Sequence, residues 1–459
     1  MNPAAPAPTR LPLPGAATGP EGDDGSYGLH SSHGSHGAYD GPDGAHGGAT
    51  GTYDGATGTY DRATGEHDRT TGEYGGADPA YDGVVGELVR QVLGPLPRRD
   101  QRRSGELYIR GLLATTGRKS IRNIASRTGA PADAQRLHHL VSDSTWPWRP
   151  LRAALAAHMV RLAPPTAWVV HTATTPRTGR TGVGTDYFAD PRTGRSVNAQ
   201  RAVGLWAAGA QGGYPVDWHL RLTARWLDDP RLRRQAGIPE EAAAVDEAEA
   251  GIALVLNTAR ATGPAQPPVL LDARHSGAGR VAARLAAAGI PYLLRISTSQ
   301  LLVPLTADGR PAGPLATARQ LAAGRPTGRW NRIPAPGPAA GVREVARLSC
   351  RAADAPPGPR QRQVLLVQTD PHARQDAAFW LTDLVNAPVA TLVRLAATPA
   401  RVARDVTRTG RRVGLYDFEG HTFAGWHRHI TLASAAHAAA LLARAGSPAG
   451  SRPLTDVAC

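Results

Sequence analysis

The segment from Trp168 to Gly179, WVVHTATTPRTG, limits the possible folds of this chain more than any other part of it. Its apolar start predicts a buried β-strand. This strand would end in the polar residues His171 and Thr172 and then break into a loop that contains Thr, Pro and Gly. A buried strand of this kind is typical of an α/β protein, and the segment therefore favours that class.

The patterns that follow support this class. Three strand-like runs, TGVGTDYFA, SVNAQRAVGLWAA and YPVDWHLRLT, are separated by Gly and Pro turns. EEAAAVDEAEAGIALVLNTARATG then predicts a helix that ends before Gly263, and PPVLLDAR predicts a short buried strand that ends at Asp272. A helix and a strand come next, residues 298–375 are rich in strand-like runs, Pro and Gly, and the chain ends in helices. Periodicity alone therefore predicts an α/β fold with a mixed sheet.

Residues 83–163 have the apolar spacing of helices. Two short helices are predicted around a turn at Gly129, with Ser120 as the N-cap of the first and Pro131 in the first turn of the second. Basic residues cluster around this hairpin, which is typical of a helix-turn-helix that places a helix in the major groove of DNA. The predicted DNA-binding residues are Arg118, Lys119, Arg122, Arg127 and Arg136.

Charge is distributed unevenly along the chain. Residues 1–82 are of low complexity, with a seven-residue repeat from Gly48, and their 12 acidic residues and 3 arginines give a net charge of −9. Because the whole chain has a net charge of +14, residues 83–459 carry +23. Residues 1–82 have too little apolar surface to form a core and are predicted to be disordered. The basic remainder indicates a polyanionic partner, with nucleic acid as the first candidate.

The sequence predicts neither export nor a membrane anchor. Cys350 and Cys459 are the only cysteines, and they form neither a metal-binding pattern nor a disulfide framework. No signal peptide and no apolar run of about 20 residues is found. We therefore expect a cytoplasmic protein, associated with the nucleoid if it binds DNA.

Three segments carry a resemblance to a known family. WVVHTATTPRTG is similar to the first catalytic segment, roughly WVxDDTGxPKxG, of DDE-type transposases of the insertion sequence 701 family, with His171 and Thr172 in place of two aspartates. PVLLDARHSGAG resembles the second catalytic segment, VVADAGYGD, and Asp272 occupies the catalytic position. Near the C-terminus, GLYDFEGHTFAGWHRHITL resembles the family's GLxHFEGRTWxGWHHHVTL. Counting back from there places Ala403 at the position of the catalytic Glu.

The resemblance implies a fold and a cofactor. It implies an RNase H-like core with a β-rich insertion, in which three carboxylates bind Mg²⁺ for DNA cleavage and strand transfer. It also implies double-stranded DNA, in the form of transposon ends, as the partner and a homodimer as the assembly. The predicted organisation is a tail at 1–82, a helical DNA-binding domain at 83–163, an RNase H-like domain at 164–445 with an insertion at about 298–375, and a tail at 446–459. Of the metal ligands, only Asp272 is kept, as a vestigial ligand. Pro399 is predicted to begin the helix that carries Ala403.

Three functions remain open on the sequence alone. The first is a transposase-derived DNA-binding protein that does not cleave, because two of its three metal-binding carboxylates are replaced. The second is an active transposase with a shifted metal site, formed by Asp272 and another carboxylate such as Asp186, Asp190 or Asp417. The third is a protein-interaction scaffold without a role at DNA.

Overall fold

The structure, a computed structural model, describes residues 79–446 except 128–131, 191–192, 326–329, 336–340, 357–361 and 372. These residues lie within one compact unit, Asp68–Cys459. The predicted disordered tail at 1–82 falls almost entirely outside them. So do the C-terminal tail and the predicted turn at Gly129 with Pro131.

Helices form the first part of the described chain and recur between and after the strands. They are α1 (Pro79–Leu93), α2 (Arg99–Ala114), α3 (Ile121–Ala125), α4 (Ala132–His138), α5 (Trp148–Leu162), α6 (Ala224–Asp228), α7 (Pro230–Ala236), α8 (Glu247–Thr262), α9 (Ala278–Ala287), α10 (Ala318–Ala323), α11 (Val389–Asp405) and α12 (Phe423–Gly446), with π-helical turns at His139–Asp143 and Val406–Gly410.

The strands form a single mixed sheet. They are β1 (Ala167–Pro176), β2 (Thr185–Ala189), β3 (Ser196–Gly209), β4 (Gly212–Leu220), β5 (Val269–Asp272), β6 (Tyr292–Arg295), β7 (Leu301–Pro304), β8 (Ala316–Thr317), β9 (Asn331–Pro334), β10 (Val342–Ala352), β11 (Gln363–Asp370) and β12 (Ala373–Thr382). Their order is β2-β3-β1-β5-β6-β12-β11-β10-β7-β8, and β4 also pairs with β3 and β9 with β10.

One half of this sheet has the order of an RNase H-like core. β4, β3 and β1 form an antiparallel meander, and β5 and then β6 add to β1 in parallel. The remaining strands continue the same sheet, because β12 pairs with the free edge of β6. The α/β class, the RNase H-like core and the β-rich insertion before α11 are therefore confirmed.

Strand β1 is longer than the sequence predicted. It continues through His171 and Thr172 to Pro176 and pairs with β3 along its whole length, from Ala167 opposite Ala208 to Pro176 opposite Ala199. The prediction of a loop directly after Thr172 was wrong. Pairing with the long β3 satisfies the backbone here, and Thr side chains favour extended structure.

Helices cover both faces of the core half of the sheet. α8 lies against one face, where a Cβ atom at Gly251 would come within 2.7 Å of Val170, so only glycine permits this close approach. Asp246 caps the start of α8 by accepting hydrogen bonds from two backbone N–H groups. On the other face, Val402 of α11 lies against Gly213 of β4.

Helix α12 joins the helical segment to the sheet. It is almost entirely buried and packs against α1, α2, α5 and β4. Its His429 accepts a hydrogen bond from the hydroxyl of Tyr108 on α2 at Nδ1 (2.8 Å), while Nε2 donates to the carbonyl of Gly414 (2.9 Å), since a carbonyl can only accept. No helix within the described residues has the length and apolarity needed to cross a membrane.

The buried His429 makes stability depend on pH. Burial lowers its pKa to about 4, whereas an unfolded histidine titrates near 6.5. Between these values the unfolded chain binds a proton that the folded chain does not, so stability is complete above about pH 6.5 and falls as the pH drops towards 4. We expect this residue to lower the free energy of unfolding by about 3 kcal/mol between pH 8 and pH 4.

Urea unfolding at both pH values, for the natural chain and for His429→Gln, measures this effect. Glutamine keeps a donor and an acceptor but does not titrate, so the variant's loss of stability with acid should be smaller by that amount. Equal losses in the two proteins would contradict the prediction.

Candidate functional site

Two of the family's catalytic positions, His171 and Asp272, lie on the neighbouring parallel strands β1 and β5. Val169 on β1 pairs with Leu270 on β5, and continuing this register by two residues places His171 beside Asp272. His171 is half-buried, and burial lowers its pKa, so its imidazole is neutral at neutral pH. A neutral imidazole therefore lies on the strand that pairs with β5, and β5 carries the one catalytic carboxylate that the resemblance retains.

The side chain of Thr172 contacts a carboxylate that the sequence did not single out. Its hydroxyl donates to Oε2 of Glu247, at the start of α8, over 2.8 Å. The other oxygen, Oε1, accepts from Arg201 at 2.8 Å and also from Arg221. Glu247 was recognisable only as an acidic residue in the first turn of a helix. Its position beside Thr172 depends on how α8 packs on β1.

Arg274 holds both oxygens of Asp272. Its Nε lies 2.9 Å from Oδ1, its Nη2 lies 2.6 Å from Oδ2, and its backbone N–H also donates to Oδ1 at 3.1 Å. Arg295, the partner of Asp272 in the pairing of β5 with β6, adds a second positive charge. Burial raises the pKa of Asp272, but the hydrogen bonds from Arg274 and the two positive charges outweigh it and lower the pKa overall. The carboxylate is thus ionised and already bound to a cation.

Ala403 lies in α11, which starts at Val389 and contains Pro399 in its interior. The prediction that Pro399 begins this helix was wrong, because the apolar residues before it pack on the sheet and hold the earlier turns in helical form. Asp405, two residues after Ala403, accepts a hydrogen bond from the backbone of Gly213 (2.8 Å), so it faces the turn between β3 and β4. At the position of the family's catalytic Glu, α11 therefore carries the methyl group of Ala403 and no carboxylate.

His171 and Ala403 line one cavity of about 1370 Å³ between β1, α11 and the segment after α2. Five basic residues line it, Arg118, Lys119, Arg127, Arg411 and Arg412, and Asp417 is the one acidic residue among the described lining residues. We call this space the central cavity. The charged side chains that line it are therefore mostly basic.

A comparison with known protein families assigns the chain to one of them. The sequence model of a family described as DDE superfamily endonuclease matches residues 91–355, which include β1 and β5 with His171 and Asp272. The chain belongs to this family. No curated protein matches the chain. The match supports a transposase-like domain of the DDE type, whose relatives act on DNA and generally use divalent metals such as Mg²⁺.

Three of the five predicted DNA-binding residues of this DDE endonuclease chain line the central cavity, and one of the three is buried. Arg118 and Arg127 are exposed there, and Arg118 forms an ion pair with Glu419 at 2.7 Å. Lys119 is only 4% exposed, because its ammonium donates to the carbonyl of Thr115 and its backbone N–H donates to Asp417 (2.8 Å). Lys119, which the sequence predicted as a DNA-binding residue, is therefore buried among these partners.

The other two predicted DNA-binding residues lie outside the cavity lining. Arg122 is exposed on the short helix α3, which Ser120 caps as predicted. Arg136, on α4, forms an ion pair with Asp133 at 2.9 Å. Arg136 lines a separate concave surface with residues of α2.

Two of the three carboxylates named for a shifted metal site, Asp186 and Asp190, form hydrogen bonds outside the central cavity. Asp186 accepts from the hydroxyl of Thr223, and Asp190 accepts from Thr193 at 2.9 Å. Asp417 does lie in the central cavity, where it accepts from the backbone of Lys119.

The residues at the family's positions do not fit a magnesium site. Mg²⁺ requires hard oxygen ligands in near-octahedral geometry, and a two-metal mechanism needs carboxylates that hold both ions. The chain offers an imidazole, a hydroxyl bonded to Glu247, a methyl group and a carboxylate that Arg274 occupies. Within the described residues, no group of three or more His, Cys, Asp or Glu side chains is arranged to hold a metal ion.

Proposed function

We propose that this chain is a DNA-binding protein, derived from a transposase of the insertion sequence 701 type, that does not cleave DNA. The observation that carries the proposal is the reversal of charge in the central cavity. Where cleavage requires carboxylates to hold metal ions, His171 and Ala403 open into a space whose charged lining residues are four arginines, Lys119 and Asp417. In this proposal the helical segment at 83–163 and the RNase H-like domain at 164–445 act together at the nucleoid.

Arginine suits such a cavity as a ligand for phosphate. Its planar guanidinium donates two parallel hydrogen bonds to a phosphate group and stays charged at all relevant pH values. Arg118 is 67% exposed, and Arg127 and Arg411 are exposed as well, so all three can reach a DNA backbone outside the cavity mouth. Contacts of this kind position a duplex without reading its sequence.

The absence of cleavage follows from the ligand set. Two divalent ions must be held close together on the attacking and leaving oxygens of the phosphodiester. Asp272 is the one family carboxylate kept, and Arg274 takes both of its oxygens. An arginine beside the DNA can stabilise negative charge, but it cannot activate water as a pair of metal ions does. The homodimer that the resemblance implies stays a prediction.

Removing three cavity arginines should weaken DNA binding strongly. For Arg118→Ala, Arg127→Ala and Arg411→Ala combined, the loss of about three phosphate contacts should lower the slope of log affinity against log salt by about 3. Affinity for a 30-base-pair duplex should fall roughly a hundredfold at 0.1 M salt. Fluorescence anisotropy of the labelled duplex over a range of salt concentrations measures both quantities.

The matched control removes the same charge elsewhere. Arg231, Arg234 and Arg319 are exposed and do not line the central cavity, so their replacement by Ala should change the slope by less than 1. A natural chain without salt-dependent affinity for DNA would contradict the proposal and favour a scaffold. DNA nicks that need Mg²⁺ or Mn²⁺ and are lost in Asp272→Ala would contradict the absence of cleavage and favour an active transposase.

A further inference from the structure

A second group of arginines lies away from the central cavity, at the start of α2. Arg98, Arg99 and Arg103 line a concave surface of about 410 Å³ together with Arg136 and His139 from the segment α4 and its π-helical turn. We call these five residues the α2 basic cluster. It shares no lining residue with the central cavity, and Asp100 is the acidic residue among the described residues that line it.

The three α2 arginines differ from their neighbours in having no partner. Arg90 pairs with Glu87 and Arg110 with Glu106, as i,i+3 and i,i+4 pairs on their helices. Arg98, Arg99 and Arg103 are exposed, and their side chains form no hydrogen bond or ion pair within the part of the chain that the structure describes. The cluster's other charges are partly compensated, since Arg136 pairs with Asp133 and His139 lies 3.8 Å from Asp143.

The placement of these arginines is unfavourable for the isolated fold. Arg99 and Arg103 are four residues apart on one helix, and like charges at that spacing repel each other. Positive charges in the first turn of a helix also oppose the helix dipole. Three arginines whose side chains have no partner therefore gather at one end of α2, where Arg99 and Arg103 repel each other. Residues whose local placement is unfavourable for the stability of the fold are expected at functional surfaces.

We propose that the α2 basic cluster is a second docking surface for the sugar–phosphate backbone of double-stranded DNA, separate from the central cavity. The choice of DNA as the polyanion rests on the proposed function. Three unpaired guanidinium groups around a concave surface have the charge opposite to that of a DNA backbone, and each can donate hydrogen bonds to a phosphate. With two such surfaces, one chain contacts a longer stretch of duplex than the central cavity alone can reach.

The test combines affinity with stability. The variant Arg98→Ala, Arg99→Ala and Arg103→Ala in the full chain should lower the salt slope by about 3 and weaken binding to a 30-base-pair duplex roughly a hundredfold at 0.1 M salt. Its melting temperature should equal or exceed that of the natural chain, because the repulsion is removed. The control variant with Arg231, Arg234 and Arg319 replaced by Ala loses the same charge.

Shortening the DNA distinguishes the two surfaces. The 16 residues of α2 run about 24 Å from the cluster to the central cavity. On a DNA hairpin with a stem of about five base pairs, roughly 17 Å long and therefore too short to extend over both surfaces, the α2 variant should lose much less affinity than on 30 base pairs, while the central-cavity variant loses affinity on both. If the natural chain binds DNA but the α2 variant keeps its slope, or loses no more than the control, this inference is wrong and the proposed function stands. A lower melting temperature in the α2 variant would also overturn it, because the arginines would then serve the fold.

Discussion

Replacing Arg152 by methionine should lower the free energy of unfolding by about 3 to 5 kcal/mol, the cost of removing one partner of a buried ion pair. Arg152 of α5 is 4% exposed, and its guanidinium joins three elements. It pairs with Asp217 of β4 at 2.9 Å, donates to the carbonyl of Trp218, and reaches Thr431 and His427 of α12. Without it, Asp217 keeps the hydrogen bond from the backbone of Trp218 but loses its positive partner, and several buried acceptors lose a donor.

The loss of stability should come from the lost hydrogen-bond geometry of the guanidinium as well as from its lost charge. Arg152→Lys keeps the positive charge, but an ammonium group cannot donate to five acceptors in a planar arrangement, so most of the loss should remain. Arg149, three residues earlier on the same helix, is exposed, and its replacement by Ala should change stability by less than about 0.5 kcal/mol. Chemical denaturation of the three variants measures these differences. A loss below 1 kcal/mol for Arg152→Met would show that α5 is held mainly by apolar packing.

Arg152 also shows where reasoning from the sequence ends. The sequence predicts α5 as a helix and β4 as a strand from their apolar spacing. It does not show that an arginine at 152 meets an aspartate at 217 and a threonine at 431, because that contact forms only when the helical segment, the sheet and α12 pack together. The helices and strands along the chain were predictable because local patterns specify them, whereas the buried polar contacts depend on tertiary packing.

The candidate site also contains features that the sequence predicted and features that it did not. His171, Asp272 and Ala403 could be located by resemblance, and the structure places His171 and Asp272 on paired parallel strands and His171 in one cavity with Ala403. Three features were not predictable. Glu247 meets Thr172 across 75 residues of sequence, the backbone of Lys119 meets Asp417 across 298, and Arg274 turns back onto Asp272 through a loop. Each of these contacts depends on the path of the folded chain, which neither the periodicity nor the spacing of residues in the sequence specifies.

Restoring acidic residues at the family's positions should create a metal site where the natural chain lacks one. In a variant with His171→Asp, Ala403→Glu and Arg274→Ala, two new carboxylates face the central cavity, and Asp272 is released from its arginine. We expect the Kd for Mn²⁺ to fall by at least about tenfold relative to the natural chain, equivalent to about 1.4 kcal/mol. Titration calorimetry and the rise in melting temperature with Mn²⁺ measure the binding.

Arg274 decides between two explanations of this result. If its guanidinium blocks the site, the double variant with His171→Asp and Ala403→Glu should bind Mn²⁺ more weakly than the triple variant, because Arg274 still competes for both oxygens of Asp272. Arg274→Ala alone should raise the pKa of Asp272, since the arginine's hydrogen bonds and charge lower it. A triple variant no better than the natural chain would mean that positions 171, 272 and 403 do not converge on one ion. Tight Mn²⁺ binding by the natural chain would instead contradict the reversal of charge on which the proposed function depends.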